Sequence, residues 1–329
     1  MDIRKLKQDA AGAMRVARDP KKAVLAYAGF LSLIALLTTL ADMYLSREIA
    51  GTGGLANMGI RSVLSTVQTV LPLVQTVLLL CLELGYLSAV MRFARKQYAD
   101  HTDLRTGFEH FGPLLRMTLL EGAIYVGLLF VSTYLGTQIF LMTPLSRPMV
   151  EALTPMLESS MLSSGNLVLD DATMLQFEAA SGPLLVIIGI VFALLALPVS
   201  YRYRMANYCL LDKPREGALA AMRHSRRMMR GNAFKLLKLD LSFWWYYLLM
   251  VAASVVCYGD QILLLMGISL PIPAMAGSFL FYGIYLVAQC AIYYFFRNEV
   301  EVTYVMAYEA IRPVEQDSGV VLGNIFDMQ

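Results

Sequence analysis

The stretch YRYRMANYCLLDKPREGALAAMRHSRRMMRGNAFKLLKLDLSFWWYY, residues 201–247, decides the fold. It leaves one apolar run, carries a basic helix, and enters a second apolar run through an aromatic cluster. Tyr201, Tyr203 and Tyr208 alternate with Arg202 and Arg204, the composition of a helix end at a headgroup layer. Asp212 is expected to cap the next helix, with Pro214 in its first turn. From Ala218 onward, Ala218, Met222, Ser225 and Met229 form a small or apolar stripe, and Arg223, Arg226, Arg227 and Arg230 a basic one. Gly231-Asn232 supplies a stop. With apolar spans on both sides tethering it, this helix reads as lying on anionic lipid rather than as a solvated loop helix. Each basic residue near such a surface contributes about 1 kcal/mol. Lys235, Lys238, Trp244 and Trp245 extend the expected lipid-interface set into the next apolar run.

Composition agrees. Of 329 residues, 57% are hydrophobic and 16% charged, and the mean hydropathy is +0.57, too apolar for an ordinary soluble domain. Six apolar runs are long enough to cross about 30 Å of hydrocarbon: about 23–43, 71–91, 113–141, 183–200, 236–258 and 277–296. The expected fold is therefore all-α, a polytopic membrane protein of six transmembrane helices. Two amphipathic basic helices, over Ile3–Arg18 and Pro214–Arg230, lie on its cytoplasmic side. Residues 1–312 are expected to form a single integral membrane domain, 142–182 an acidic extracytoplasmic loop, and 313–329 a flexible cytoplasmic tail. Of the 27 lysines and arginines, 24 lie at the termini and even-numbered loops and 3 in the odd ones. That asymmetry predicts cytoplasmic termini. No cleavable signal peptide is expected, because the chain opens on a charged helix.

The residues of the 201–247 block also carry a family resemblance. Tyr203, Ala206, Tyr208, Asp212, Pro214, Ala218, Ser225, Met229, Gly231, Leu239, Leu241, Ser242 and Phe243 match, without a gap, a pattern of a Tyr-rich span end, Asp-x-Pro, an Ala-rich helix, Met-x-Gly and Leu-x-Leu-Ser-Phe. In these the chain resembles a bacterial six-span integral membrane family, domain of unknown function 975. The chain departs from that pattern at Pro198-Val199, at Phe234 and around Asn298. The resemblance implies a six-span topology in a bacterial cytoplasmic membrane, and it implies no activity.

Catalytic signatures are missing. There is no GxSxG, HExxH or Walker lysine, and Gly51-Thr52-Gly53-Gly54 lacks the setting of a phosphate loop. His101 and His110 are spaced nine apart and would face opposite ways on a helix; no metal site and no cofactor are expected. Cys81, Cys209, Cys257 and Cys290 read as small core residues.

Two carboxylates stand out. Glu83 lies nine residues before Arg92 and Glu121 eight after Pro113, which puts both about 12–13 Å from the same ends of neighbouring helices. An ionised carboxylate in lipid needs a partner. Arg116, Arg202 or Arg204 reaching inward would supply one, or one carboxyl stays neutral; the alternative is a proton- or cation-linked site. The sequence thus favours a non-enzymatic protein that organises lipid or partner proteins at the cytoplasmic leaflet. The alternative is a transporter or exporter component using Glu83 and Glu121. Expected partners are membrane lipids, anionic headgroups first, with a membrane-protein partner or a homo-oligomer open and no nucleic acid.

Overall fold

A computed structural model describes residues 2–16, 20–51, 58–151, 171–266 and 274–312. The glycines at 52–54, most of the acidic connection and the tail at 313–329 lie outside them. The described residues are helical, with no strand among them. The helices are α1 (Ile3–Val16), α2 (Pro20–Gly51), α3 (Met58–Ala94), α4 (Thr106–Glu109), α5 (Phe111–Met142), α6 (Asp171–Tyr203) and α7 (Ala206–Asp212). They continue with α8 (Ala218–Met228), α9 (Ala233–Ser242), α10 (Trp244–Cys257), α11 (Gly259–Leu265), α12 (Ala274–Ile292) and α13 (Asn298–Ile311). A π-helical turn, Tyr293–Arg297, joins α12 to α13.

Among the described residues, five helices are long and apolar enough to cross a membrane, and α9 with α10 makes a sixth if that pair, bent by 62°, is one span. α1 packs along α13, so the chain approaches its first span and leaves its last from the same end. The expected fifth span at 236–258 is not a straight helix; it breaks at Phe243. Ser242 Oγ donates back to the Leu239 carbonyl at 2.6 Å, and Lys7 Nζ of α1 donates to the Ser242 carbonyl at 3.1 Å. Phe243 is fully buried, with the Lys7 ammonium 4.0 Å above its ring. A lysine from the first helix therefore takes a carbonyl that the break leaves over.

The chain divides into two compact units, Met1–Leu115 with Met205–Gln329, and Arg116–Arg204. In the second, α5 and α6 approach closely at one point: a Cβ on Gly136 would come within 2.7 Å of Ile188 Cγ1 and 3.0 Å of its Cα. Ser132 and Phe140 are buried there, while Phe130, Tyr134, Leu185 and Leu194 stay exposed, as lipid-facing residues do.

In the first unit burial is most complete along the end of α3, where residues 81–94 are buried except Glu83 and Arg92, and it extends along α13. The helix Ala276–Ile311 has 36 residues, about 54 Å of length against about 30 Å of hydrocarbon, so its distal part projects beyond a bilayer. That part is enclosed by protein: Val300, Val302, Thr303, Tyr304, Val305, Ala307 and Tyr308 are all buried. α1, α2 and the end of α3 wrap it. Leu6, Ala10 and Ala13, the apolar face of α1, are spent on this packing. We call this assembly, with α7–α9 and the 101–109 segment, the platform.

The 101–109 segment lies against α3 backbone to backbone. Arg92 pairs with Asp103 at 2.7 Å, and Asp100 and Asp103 close a reciprocal cap on the turn His101–Arg105. The backbone N–H of His101, 2.7 Å from Asp100 Oδ1, holds the Asp100 carboxyl below its usual range. Gly85 and Gly107 make the approach possible. A Cβ on Gly107 would fall on the Cys81 carbonyl oxygen, and one on Gly85 on the Leu104 carbonyl.

Candidate functional site

At the π-helical turn, where the last span meets the platform, one arginine is sealed in aromatic rings. Arg297 is 7% exposed; its guanidinium lies 4.4 Å from the Tyr293 ring, 4.7 Å from Tyr27 and 5.1 Å from Tyr86. Tyr27 and Tyr86 also stack on each other, with centroids 4.7 Å apart. The quadrupole of each ring favours the cation, and more so where water is excluded. Arg297 Nη2 donates to both oxygens of Glu83, at 2.6 and 2.7 Å, and the Tyr27 hydroxyl donates to the same carboxylate at 2.5 Å. Glu301, one turn along, sits 4.0 Å from Arg297. Tyr86, buried, donates to Asn298 Oδ1 at 2.7 Å. The wider helical turn, a form found often at functional sites, brings Tyr293 and Arg297 together in this cage. Arg297 Nε and Gln289 Oε1 are buried without a hydrogen-bond partner among the described residues.

Glu83 thus has its partner in Arg297, and the inward-reaching role considered for Arg116, Arg202 and Arg204 falls to a residue that the sequence marks only as the border of the last span. Glu121 lies in the other unit, on α5, half-buried and with no ion pair among the described residues. Arg202 lies in the last turn of α6 in that unit and Arg204 just past its end, with its guanidinium 5.7 Å from the Tyr201 ring, and Arg116 opens that unit exposed on α5.

Asp212 does not cap the basic helix. Its carboxylate is 7% exposed and takes Arg95 Nη2 at 2.6 Å, Arg312 Nη1 at 2.9 Å and the Tyr308 hydroxyl at 2.6 Å. Arg95 also holds Glu309 at 2.6 Å. One carboxylate therefore ties the ends of α3, α7 and α13 together. A small pocket of about 40 Å³ opens beside it, with Cys209, His224 and Tyr308 in its wall, room for water and little more. Pro214 sits in a 3-10 turn, and Gly217, at φ +79°, starts α8 in a backbone region that side chains disfavour.

The basic helix folds as its periodicity requires. Ala218, Ala221, Met222, Ser225 and Met228 are buried, and Ser225 Oγ accepts the Met205 N–H at 3.2 Å. Arg223, Arg226, Arg227 and Arg230 are exposed, and Leu219 stands exposed among them. Lys235, Lys238 and Trp244 are exposed on the next two helices, and Trp245 is half-buried with its ring edge-on to Phe296. The apolar faces of both amphipathic helices are covered by protein. Their basic faces are what remain to meet a ligand.

The family described as "Protein of unknown function (DUF975)" matches the chain over residues 21–313. No match to the chain was found among curated proteins or solved structures.

Proposed function

For a chain that belongs to this family of proteins of unknown function (DUF975), we propose a non-enzymatic role as a multi-pass protein of the bacterial cytoplasmic membrane. Both termini are cytoplasmic, and the platform gathers anionic lipid, or partner proteins bearing anionic groups, at the inner leaflet. The observation that carries this reading is α8. Its apolar side is buried on protein while Arg223, Arg226, Arg227 and Arg230 face outward together. A cationic face fixed in this way meets headgroups without having to insert, so its attraction is electrostatic and screened by salt.

The test uses the whole protein, because α8 keeps its shape by packing on the platform. In nanodiscs, replacing all four arginines with Gln is expected to lower preference for phosphatidylglycerol over phosphatidylcholine at least tenfold. High salt should do the same to the native protein. An unchanged preference would leave the arginines to orientation alone. A transporter or exporter component is the second reading, and it draws on Glu83, whose side chain remains 33% exposed beside Arg297.

A further inference from the structure

We propose that α9 is not the first half of a span but a helix lying in the headgroup layer, where it seats an anionic phospholipid of the adjoining leaflet. This rests on the membrane-facing reading of α8 and deepens it.

Three observations carry the inference. The first is direction: α9 turns 62° from α10, so with α10 near the membrane normal α9 lies within about 30° of the plane. The second is the division of its faces. Leu236 and Leu239 are buried against protein, and Tyr304 of α13 hydrogen-bonds Asp240. The outward face presents Phe234, 78% exposed, and Leu241, 63% exposed, seven residues apart on one side of the helix. Lys235 and Lys238, also exposed, flank them on one edge. A soluble surface gains nothing from two such apolar side chains, and a mid-span position gains nothing from two lysines. An interfacial helix uses both, the rings and methyls entering the acyl boundary while the ammonium groups meet phosphate.

The third observation is continuity. Trp244, 63% exposed, begins the lipid-facing stripe of α10, which runs on through Leu248, Val251 and Val255. Tryptophan at that junction marks the headgroup level. α10 and α11, of 14 and 7 residues, then carry the chain across without α9. The bend is held from the platform by Lys7, which donates to the Ser242 carbonyl. The occupant is a phospholipid: its phosphate between Lys235 and Lys238, its upper acyl chain against Phe234, Leu241 and Trp244.

Nitroxide labels on Phe234→Cys, Leu241→Cys and Leu248→Cys, in full-length protein reconstituted in nanodiscs of phosphatidylcholine and phosphatidylglycerol, test the geometry. The depths at 234 and 241 are expected to differ by about 5 Å or less, with 248 deeper. A difference near 10 Å, the full rise of seven residues, would overturn the in-plane placement. Lys235→Gln with Lys238→Gln tests the seat. It is expected to weaken phosphatidylglycerol retention roughly thirtyfold, from two basic residues at about 1 kcal/mol each. Unchanged retention would overturn the lysine seat, and loss of binding with inorganic phosphate as competitor would show a free-phosphate site instead. Both readouts are independent of the α8 arginines, so failure here is separable from failure of the broader reading.

Discussion

Glu83→Gln is expected to lower the stability of the purified protein by about 3 kcal/mol. The substitution keeps the side chain's volume and removes the carboxylate that Arg297 Nη2 holds at 2.6 and 2.7 Å. The three tyrosine rings around Arg297 cannot move away from a cation left without its counter-ion, and they replace only part of the lost attraction. A figure at the low end of buried-pair losses is chosen because the Glu83 side chain is 33% exposed. Arg297→Met with Glu83→Gln should recover much of the loss, since an apolar replacement strands no charge. Thermal melting of the two single variants and the double variant in one detergent gives the coupling energy. Glu83→Gln with unchanged melting and lost pH-dependent flux in liposomes would instead favour the transporter reading.

Gly107→Ala should be the most disruptive single methyl in the platform. The added carbon lands on the Cys81 carbonyl oxygen, with the Gly85 nitrogen 2.9 Å away, so backbone rather than a yielding side chain must shift. Overpacking of this kind costs about 1–3 kcal/mol, and a clash with fixed backbone belongs at or above the upper end. Gly85→Ala meets the Leu104 backbone and should behave alike. Gly122→Ala and Gly127→Ala are the controls. Neither Cβ would have an atom within 4 Å, and helix propensity favours Ala by about 1 kcal/mol. Melting temperatures should fall for the first pair and hold or rise for the second. Equal effects at all four sites would show that the 101–109 segment does not sit against α3 as described.

What the chain reveals by itself follows the range of each interaction. The long apolar helices were legible because a crossing needs about 20 apolar residues in a row. The arginine strip of α8 was legible because 3.6-residue periodicity assigns faces without any tertiary information. Periodicity does not say what covers the apolar face, and for α1 and α8 it is protein. The Glu83–Arg297 pair joins residues 214 apart in sequence, so no local pattern announces it. Asp212 was misread for a related reason: an Asp two residues before a Pro looks like a helix start, whereas its partners, Arg95, Tyr308 and Arg312, arrive from distant segments. The break at Phe243 has no local signal, because Leu-rich sequence carries no punctuation there and the bend is held by Lys7 from the far end of the chain. Charges within 297–312 hinted that the last helix outruns the bilayer. That α1, α2 and the end of α3 enclose it required the packing.

The orientation of the platform is tested most directly by labelling single cysteines in whole cells, in a background with the four native cysteines replaced. Met142→Cys, at the exposed end of α5, and Arg226→Cys, on the exposed face of α8, are the two positions. With a cytoplasmic platform, a membrane-impermeant reagent reaches position 142 in intact cells and position 226 only after permeabilisation. Labelling of position 226 in intact cells would contradict the account.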